Sequence, residues 1–188
     1  MRALHPVRSL VAAALVLLAA APARAELRIS DLDAFLNDQV VTVHTVLLDA
    51  IPDGLQEGLR SGIPAHVRLT LELWQYRRLL PDSLLTSRVI ERTIVYNVVT
   101  REYRVTSVKG ESRAVYATKT PRDAQRVLSE FRGIKMTPAT ALDPAAVIYV
   151  RVNAEAALNG ENTFVARMNG TAAQTSRQSD YRTIQRVQ

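Results

Sequence analysis

From His66 to Leu73 the chain alternates without a break, with Val67, Leu69, Leu71 and Leu73 on one side and His66, Arg68, Thr70 and Glu72 on the other. A period of two marks a strand with one buried face; a helix through the same residues would scatter the leucines round its circumference. One such strand cannot bury its face alone, so this segment demands a sheet and a second layer to cover it.

The flanking sequence supplies both. Leu27 and Ile29 begin a short alternation, and Val40 to Leu48 continues it with Val41, Val43 and Leu47 on one face. After the Pro81-Asp82-Ser83 turn, Val89 to Val99 is rich in β-branched residues, with Ile90, Ile94, Tyr96 and Val98 on one face and Glu91, Thr93 and Asn97 on the other. Tyr103 to Val108, Ala114 to Thr118 and Ala146 to Ala154 read as further strands, and their short links imply antiparallel neighbours. Two helices interrupt them. Leu55 and Leu59 form a short apolar stripe closed by Gly62. Thr120 stands as a cap before Pro121, and Ala124, Val127, Leu128 and Phe131 recur at helical spacing up to Gly133. Leu128 and Phe131 are expected to anchor this second helix on the sheet. The reading is a mainly β, single-domain protein: an antiparallel β-sandwich or curled sheet with two short helices.

At the N-terminus, Arg2 and Arg8 precede an apolar run of 12 residues from Leu10 to Ala21, followed by Ala23-Arg24-Ala25 and Glu26. A basic start, a short apolar run and a small-x-small exit describe a secretory signal peptide over residues 1–25, with cleavage after Ala25. The run falls short of the about 20 residues that cross a ~30 Å hydrocarbon core, so an uncleaved anchor is the lesser alternative. The expectation is a protein exported to the periplasm or secreted, with no integral span after cleavage. Residues 26–168 then form the β-rich domain. The stretch 169–188, rich in Gln, Ser, Thr and Arg, reads as a polar, disordered tail on which Tyr181, Ile184 and Val187 dock weakly.

Charge narrows the partners. The formal net charge is +6, but the signal contributes Arg2, Arg8 and Arg24, and Arg177, Arg182 and Arg186 against Asp180 place much of the rest in the tail. A near-neutral body does not fit nucleic acid, whose affinity comes from many phosphate contacts. Within that body the charge is segregated. Glu26 to Tyr76 is acidic and Arg77 to Arg113 is basic, a segregation that either pairs neighbouring strands across a sheet or gives the fold two unlike faces, one basic enough to meet an acidic protein or lipid head groups.

No constellation names a reaction. Cysteine is absent, which removes disulfides, thiolate metal sites and a cysteine nucleophile. Outside the signal only His44 and His66 remain, in different strands. No serine lies in a Gly-x-Ser-x-Gly elbow, and the carboxylate pairs Asp31/Asp33 and Glu155/Glu161 read as solvated turns. The expectation is therefore a non-enzymatic protein with no catalytic residue, no metal and no cofactor. The densest aromatic and arginine group is Trp74, Tyr76, Arg77 and Arg78 at the end of the clearest strand. Such groups are enriched at interface hot spots, so these four form the candidate partner-binding rim. The alternative is a periplasmic cup for a small apolar ligand, since curled antiparallel sheets readily enclose one.

Gly62-Ile63-Pro64 after the first helix, the run Tyr96-Asn97-Val98-Val99-Thr100-Arg101-Glu102-Tyr103-Arg104-Val105, the helix from Asp123 to Phe131 and the strand around Tyr149 together resemble a bacterial exported family, domain of unknown function 4390. The departures are Arg77 and Arg78 following Trp74 rather than preceding it, and Asn159 after Leu158. The resemblance implies an exported protein without assigned activity, in some genomes encoded beside a sensor histidine kinase. It therefore implies a sensing accessory whose partner is a membrane-protein ectodomain.

Overall fold

The computed structural model describes residues 26–183. The signal peptide, its cleavage after Ala25, and Ile184 and Val187 lie outside the described residues. Within them the chain folds into two antiparallel sheets and three helices.

The first hairpin joins β1 (Arg28–Asn37) to β2 (Val40–Leu48) through Asp38 and Gln39, both with positive φ, the twist that a two-residue turn needs to keep its strands together. A short helix α1 (Asp53–Arg60) follows and buries Leu55 and Leu59. Then come the long strands β3 (Ala65–Gln75) and β4 (Ser83–Asn97), the shorter β5 (Glu102–Lys109) and β6 (Tyr116–Thr118), and the helix α2 (Pro121–Ser129). The chain continues through β7 (Glu130–Pro138) and β8 (Val147–Leu158), and ends with α3 (Phe164–Met168), β9 (Ala172–Gln178) and β10 (Arg182–Thr183). β1, β2 and β7 make a small sheet in that order. The large sheet runs β10-β8-β3-β4-β5-β6, with β9 pairing the same edge of β8 as β10.

Val67, Leu69, Leu71 and Leu73 are fully buried at the centre of this large sheet, as their alternation predicts. Val41, Val43 and Leu47 of β2 join them in one apolar core with Ile90, Ile94, Val150 and Val152. Each such side chain removed from water contributes about 1.5–3 kcal/mol, which makes the inner face of β3 the centre of the fold. Three expectations are corrected. The second helix stops at Ser129 rather than Gly133; Phe131 lies in β7, buried opposite Thr45. Phe131, Ile134 and Met136 do not alternate strictly because β7 carries two bulges, one of them where Gly133 takes φ 68°, and the broken period hides the strand from the sequence. Thr120 occupies the cap position of α2, but its hydroxyl makes no capping bond; its carbonyl accepts the Ala124 N–H at 3.1 Å. The segment expected to be a disordered tail is ordered through residue 183: α3 adds a third helix, and β9 pairs with β8 from Arg151 to Ala157. Its polar side chains stay wet while its backbone completes the β8 ladder, and Arg177 donates to the carbonyls of Ile29 and Ser30 in β1.

One inward position of β4 is not apolar. Arg92 sits between Ile90 and Ile94 in the buried row, 2% exposed. Its Nε and Nη2 donate to the two Glu111 oxygens at 2.5 and 2.9 Å, and its Nη1 donates to the carbonyls of Val127, Leu128 and Glu130 at 2.7, 3.3 and 2.8 Å. The guanidinium also lies 3.9 Å from the centroid of the Phe131 ring. The carbonyls at a helix C-terminus have no partner inside the helix, so the arginine satisfies groups that the turn from α2 into β7 would otherwise bury unpaired.

Burial pushes the Glu111 carboxyl up, but hydrogen bonds from Arg92 and Ser107, with the charges of Arg92 and Arg113, outweigh it and hold the group below its ordinary value of 4.5. The unfolded chain therefore binds this proton more readily than the folded one. The stability that Glu111 contributes is complete above about pH 4.5 and is lost as the pH falls through its folded value. Glu111→Gln is expected to lower stability near neutral pH by about 1–3 kcal/mol and to flatten the acid limb of a urea-midpoint profile. Parallel acid limbs for variant and wild type would refute this account.

Candidate functional site

At the end of the large sheet where β3 runs out, Leu84 of β4, Trp74 of β3 and Tyr149 of β8 lie directly across from one another, in a row on the outer face. Trp74 is half-buried; its Nε1 donates to Glu72 Oε2 at 2.9 Å, and the Arg151 guanidinium lies 4.9 Å from its ring. Tyr181, arriving just before β10, sets its ring edge-on to both Tyr76 and Tyr149, at 5.2 Å from each. Four aromatic rings thus meet with one arginine. Offset and edge-on ring pairs of this kind add about 0.5–1.5 kcal/mol beyond the area they bury, so the Tyr76–Tyr181–Tyr149 contacts help to hold this corner together.

Asp82 holds the β3–β4 connection, residues 76–82, against that corner. Its Oδ1 accepts the Arg77 N–H at 3.0 Å, and its Oδ2 accepts the Tyr149 hydroxyl at 2.8 Å. Burial pushes the Tyr149 phenol up from its ordinary value, and the hydrogen bond to Asp82 and that carboxylate's charge push it further. The Tyr76 N–H continues the ladder to the Val147 carbonyl at 2.8 Å. Of the four residues that the sequence singles out, Trp74 and Tyr76 are brought into the cluster. Arg77 and Arg78 project from the loop beside it, exposed, and among the described residues neither forms an ion pair. Tyr149 and Arg151 escape a reading of local sequence because they lie far along the chain, and the polarity of the last segment masks the role of Tyr181.

A free backbone edge opens beside the rim. β5 leaves β4 after Lys109 pairs with Glu91, and Gly110 then crosses so close that a Cβ there would collide with the Val89 carbonyl oxygen. Among the described residues, Ser83 to Arg88 therefore pairs with β3 on one side and with no strand on the other. A bulge at Leu85 interrupts this edge, and Leu84 and Arg88 are exposed along it.

Other sites are less developed. His44 packs edge-on against Phe35 on the small sheet, and His66 meets the Thr93 hydroxyl at 3.1 Å on the large one. Among the described residues no three His, Asp or Glu side chains converge as a metal set. The pocket at Ala34, Val41, Leu73 and Ile148 holds about 10 Å³, room for about one water and for nothing larger. A polar surface groove of about 810 Å³ runs between the start of α1 and the turn from α3 to β9. No described helix is long and apolar enough to cross a membrane.

Residues 24–159 match the family described as Domain of unknown function (DUF4390), and the chain belongs to that family. The match takes in Trp74, Tyr76, Arg77, Arg78 and Tyr149, and ends before β9, β10 and Tyr181. No curated protein and no solved structure matches the chain.

Losing the Asp82 carboxylate should free the loop without unfolding the sheet. Asp82→Ala removes two hydrogen bonds worth about 0.5–1.5 kcal/mol each, so limited trypsin cleavage after Arg77 and Arg78 should accelerate several-fold, with a global stability loss of no more than about 1–3 kcal/mol. Unchanged cleavage kinetics would mean that Asp82 does not hold the loop.

Proposed function

We propose that this family member is an exported, non-enzymatic interaction accessory that works in the periplasm and docks onto the ectodomain of a membrane protein. The observation that carries the reading is the free edge from Ser83 to Arg88, which begins where the loop carrying exposed Tyr76, Arg77 and Arg78 enters β4. An unpaired edge offers a row of N–H and C=O groups to an extended segment of a partner, with backbone bonds supplying affinity and flanking side chains supplying choice. The rim fits that second task. Aromatic and arginine side chains dominate interface energetics, and here the rings are held in place before any partner arrives, which lowers the entropic cost of binding. Arg77, Arg78 and Arg88 favour an acidic partner surface. A membrane sensor kinase is the partner that the family resemblance suggests.

The rim is tested by in-cell photocrosslinking. A crosslinker at position 76 or 78 should capture one membrane protein well above the yield from a control at Arg122 on α2, and equal yields would end the proposal. Export is tested separately: protein recovered from the periplasm should begin at Glu26, whereas an intact Met1 would refute cleavage after Ala25.

A further inference from the structure

Past the rim, the connection between β3 and β4 displays two leucines to solvent: Leu79 is 92% exposed and Leu80 is 64% exposed. An isolated surface leucine needs no explanation, but two adjacent ones at the tip of the longest hairpin do. They are displayed by a built loop, since Asp82 clamps its base through the Arg77 N–H and the Tyr149 hydroxyl. Immediately before them stand Arg77 and Arg78, exposed and without an ion pair among the described residues; immediately behind lie Trp74, Tyr76 and Tyr181.

From tip to base the order is apolar, then cationic, then aromatic with polar handles. We infer that the Leu79–Leu80 tip is a membrane-surface anchor that inserts between the head groups of an anionic phospholipid bilayer. The acyl boundary takes the leucines, the phosphates meet the arginines, and tyrosine and tryptophan rings sit at the level of the head groups, where amphipathic rings are favoured. Arg77, Arg78 and Arg88 stand exposed at this end of the sheet, complementary to an anionic leaflet; among the nearby acids Asp82 is tied to the base of the loop, Glu72 to the Trp74 indole and Asp33 to Arg182 at 3.4 Å, and the exposed Asp180 beside Tyr181 is the opposing charge. A second exposed apolar pair, Val98 (57% exposed) and Val99 (92% exposed), lies at the opposite end of β4, where Arg101 is followed at once by Glu102. That end lacks the paired arginines and serves as an internal control.

The anchor goes beyond docking on a protein and is testable without one. Trp74 is the single tryptophan, so its quenching by brominated phospholipid reports contact at this end of the sheet. Trp74 should be quenched on vesicles of phosphatidylglycerol and phosphatidylethanolamine and much less on phosphatidylcholine alone. The double variant Leu79→Ser/Leu80→Ser should lower the partition coefficient about tenfold or more. Arg77→Gln/Arg78→Gln should weaken binding and flatten its salt dependence. Val98→Ser/Val99→Ser should leave it unchanged. Because the substituted leucines are exposed, unchanged urea midpoints serve as the folding control. Unquenched Trp74 on anionic vesicles would overturn the anchor, as would equal partitioning of the leucine double variant. If vesicles fail to quench while the leucine variant abolishes crosslinking from position 78 in cells, the tip is part of a protein interface and the lipid assignment is wrong.

Discussion

The arrangement depends on a positive charge placed where apolar side chains belong. Arg92 ties four pieces of chain together: β4, which carries it; the turn after β5, which supplies Glu111; the end of α2, whose carbonyls it satisfies; and Phe131 of β7, on which its guanidinium stacks. A buried ion pair adds little net stability compared with a well-packed apolar substitute, but removing the buried arginine itself would leave Glu111 and three carbonyls without their donor, at a cost of about 3–5 kcal/mol. Its value here is positional. With Arg92 in place the chain leaves α2 at one angle, and β7 is delivered to the edge of β2, where it completes the small sheet.

The same interaction accounts for the free edge. To bring Glu111 under the sheet, β5 must leave β4 at Gly110, and six residues of β4 that a longer β5 would have covered stay open. At the opposite margin of the sandwich, Arg177 reaches from β9 to the carbonyls of β1, so an arginine bridges the two sheets on each flank. Bulges at Leu85 and in β7 blunt the unpaired backbone at the open edges, as edge strands require.

Local signals make much of this fold legible in the amino-acid sequence. The inward leucines of β3, the Leu55–Leu59 stripe, the antiparallel order of β3, β4 and β5 and the family resemblance can all be read because period, turn residues and spacing act over short stretches of chain. β7 is not legible, because Phe131 also fits the helical stripe of α2 and the bulges erase its alternation. β9 is hidden for another reason: an edge strand needs only backbone bonds and one willing neighbour, so Ala172-Ala173-Gln174 through Gln178 carries no apolar rhythm to detect. Arg92 stands within an apolar row, and that misfit is the available signal. The rim is half visible. Trp74 and Tyr76 are close in sequence, whereas Tyr149 and Tyr181 reach them only through the pairing of β3 with β8 and the turn into β10.

That the chain's single indole lies in this rim, with Glu72 on its nitrogen and Arg151 over its ring, gives the molecule an unusual optical property. Its ultraviolet emission originates some strands away from the core around Phe131 and follows the electrostatic surroundings of one corner. A partner, a lipid or a moved loop there will change the colour of the whole protein's light, while loosening near Arg92 can proceed almost unseen by it.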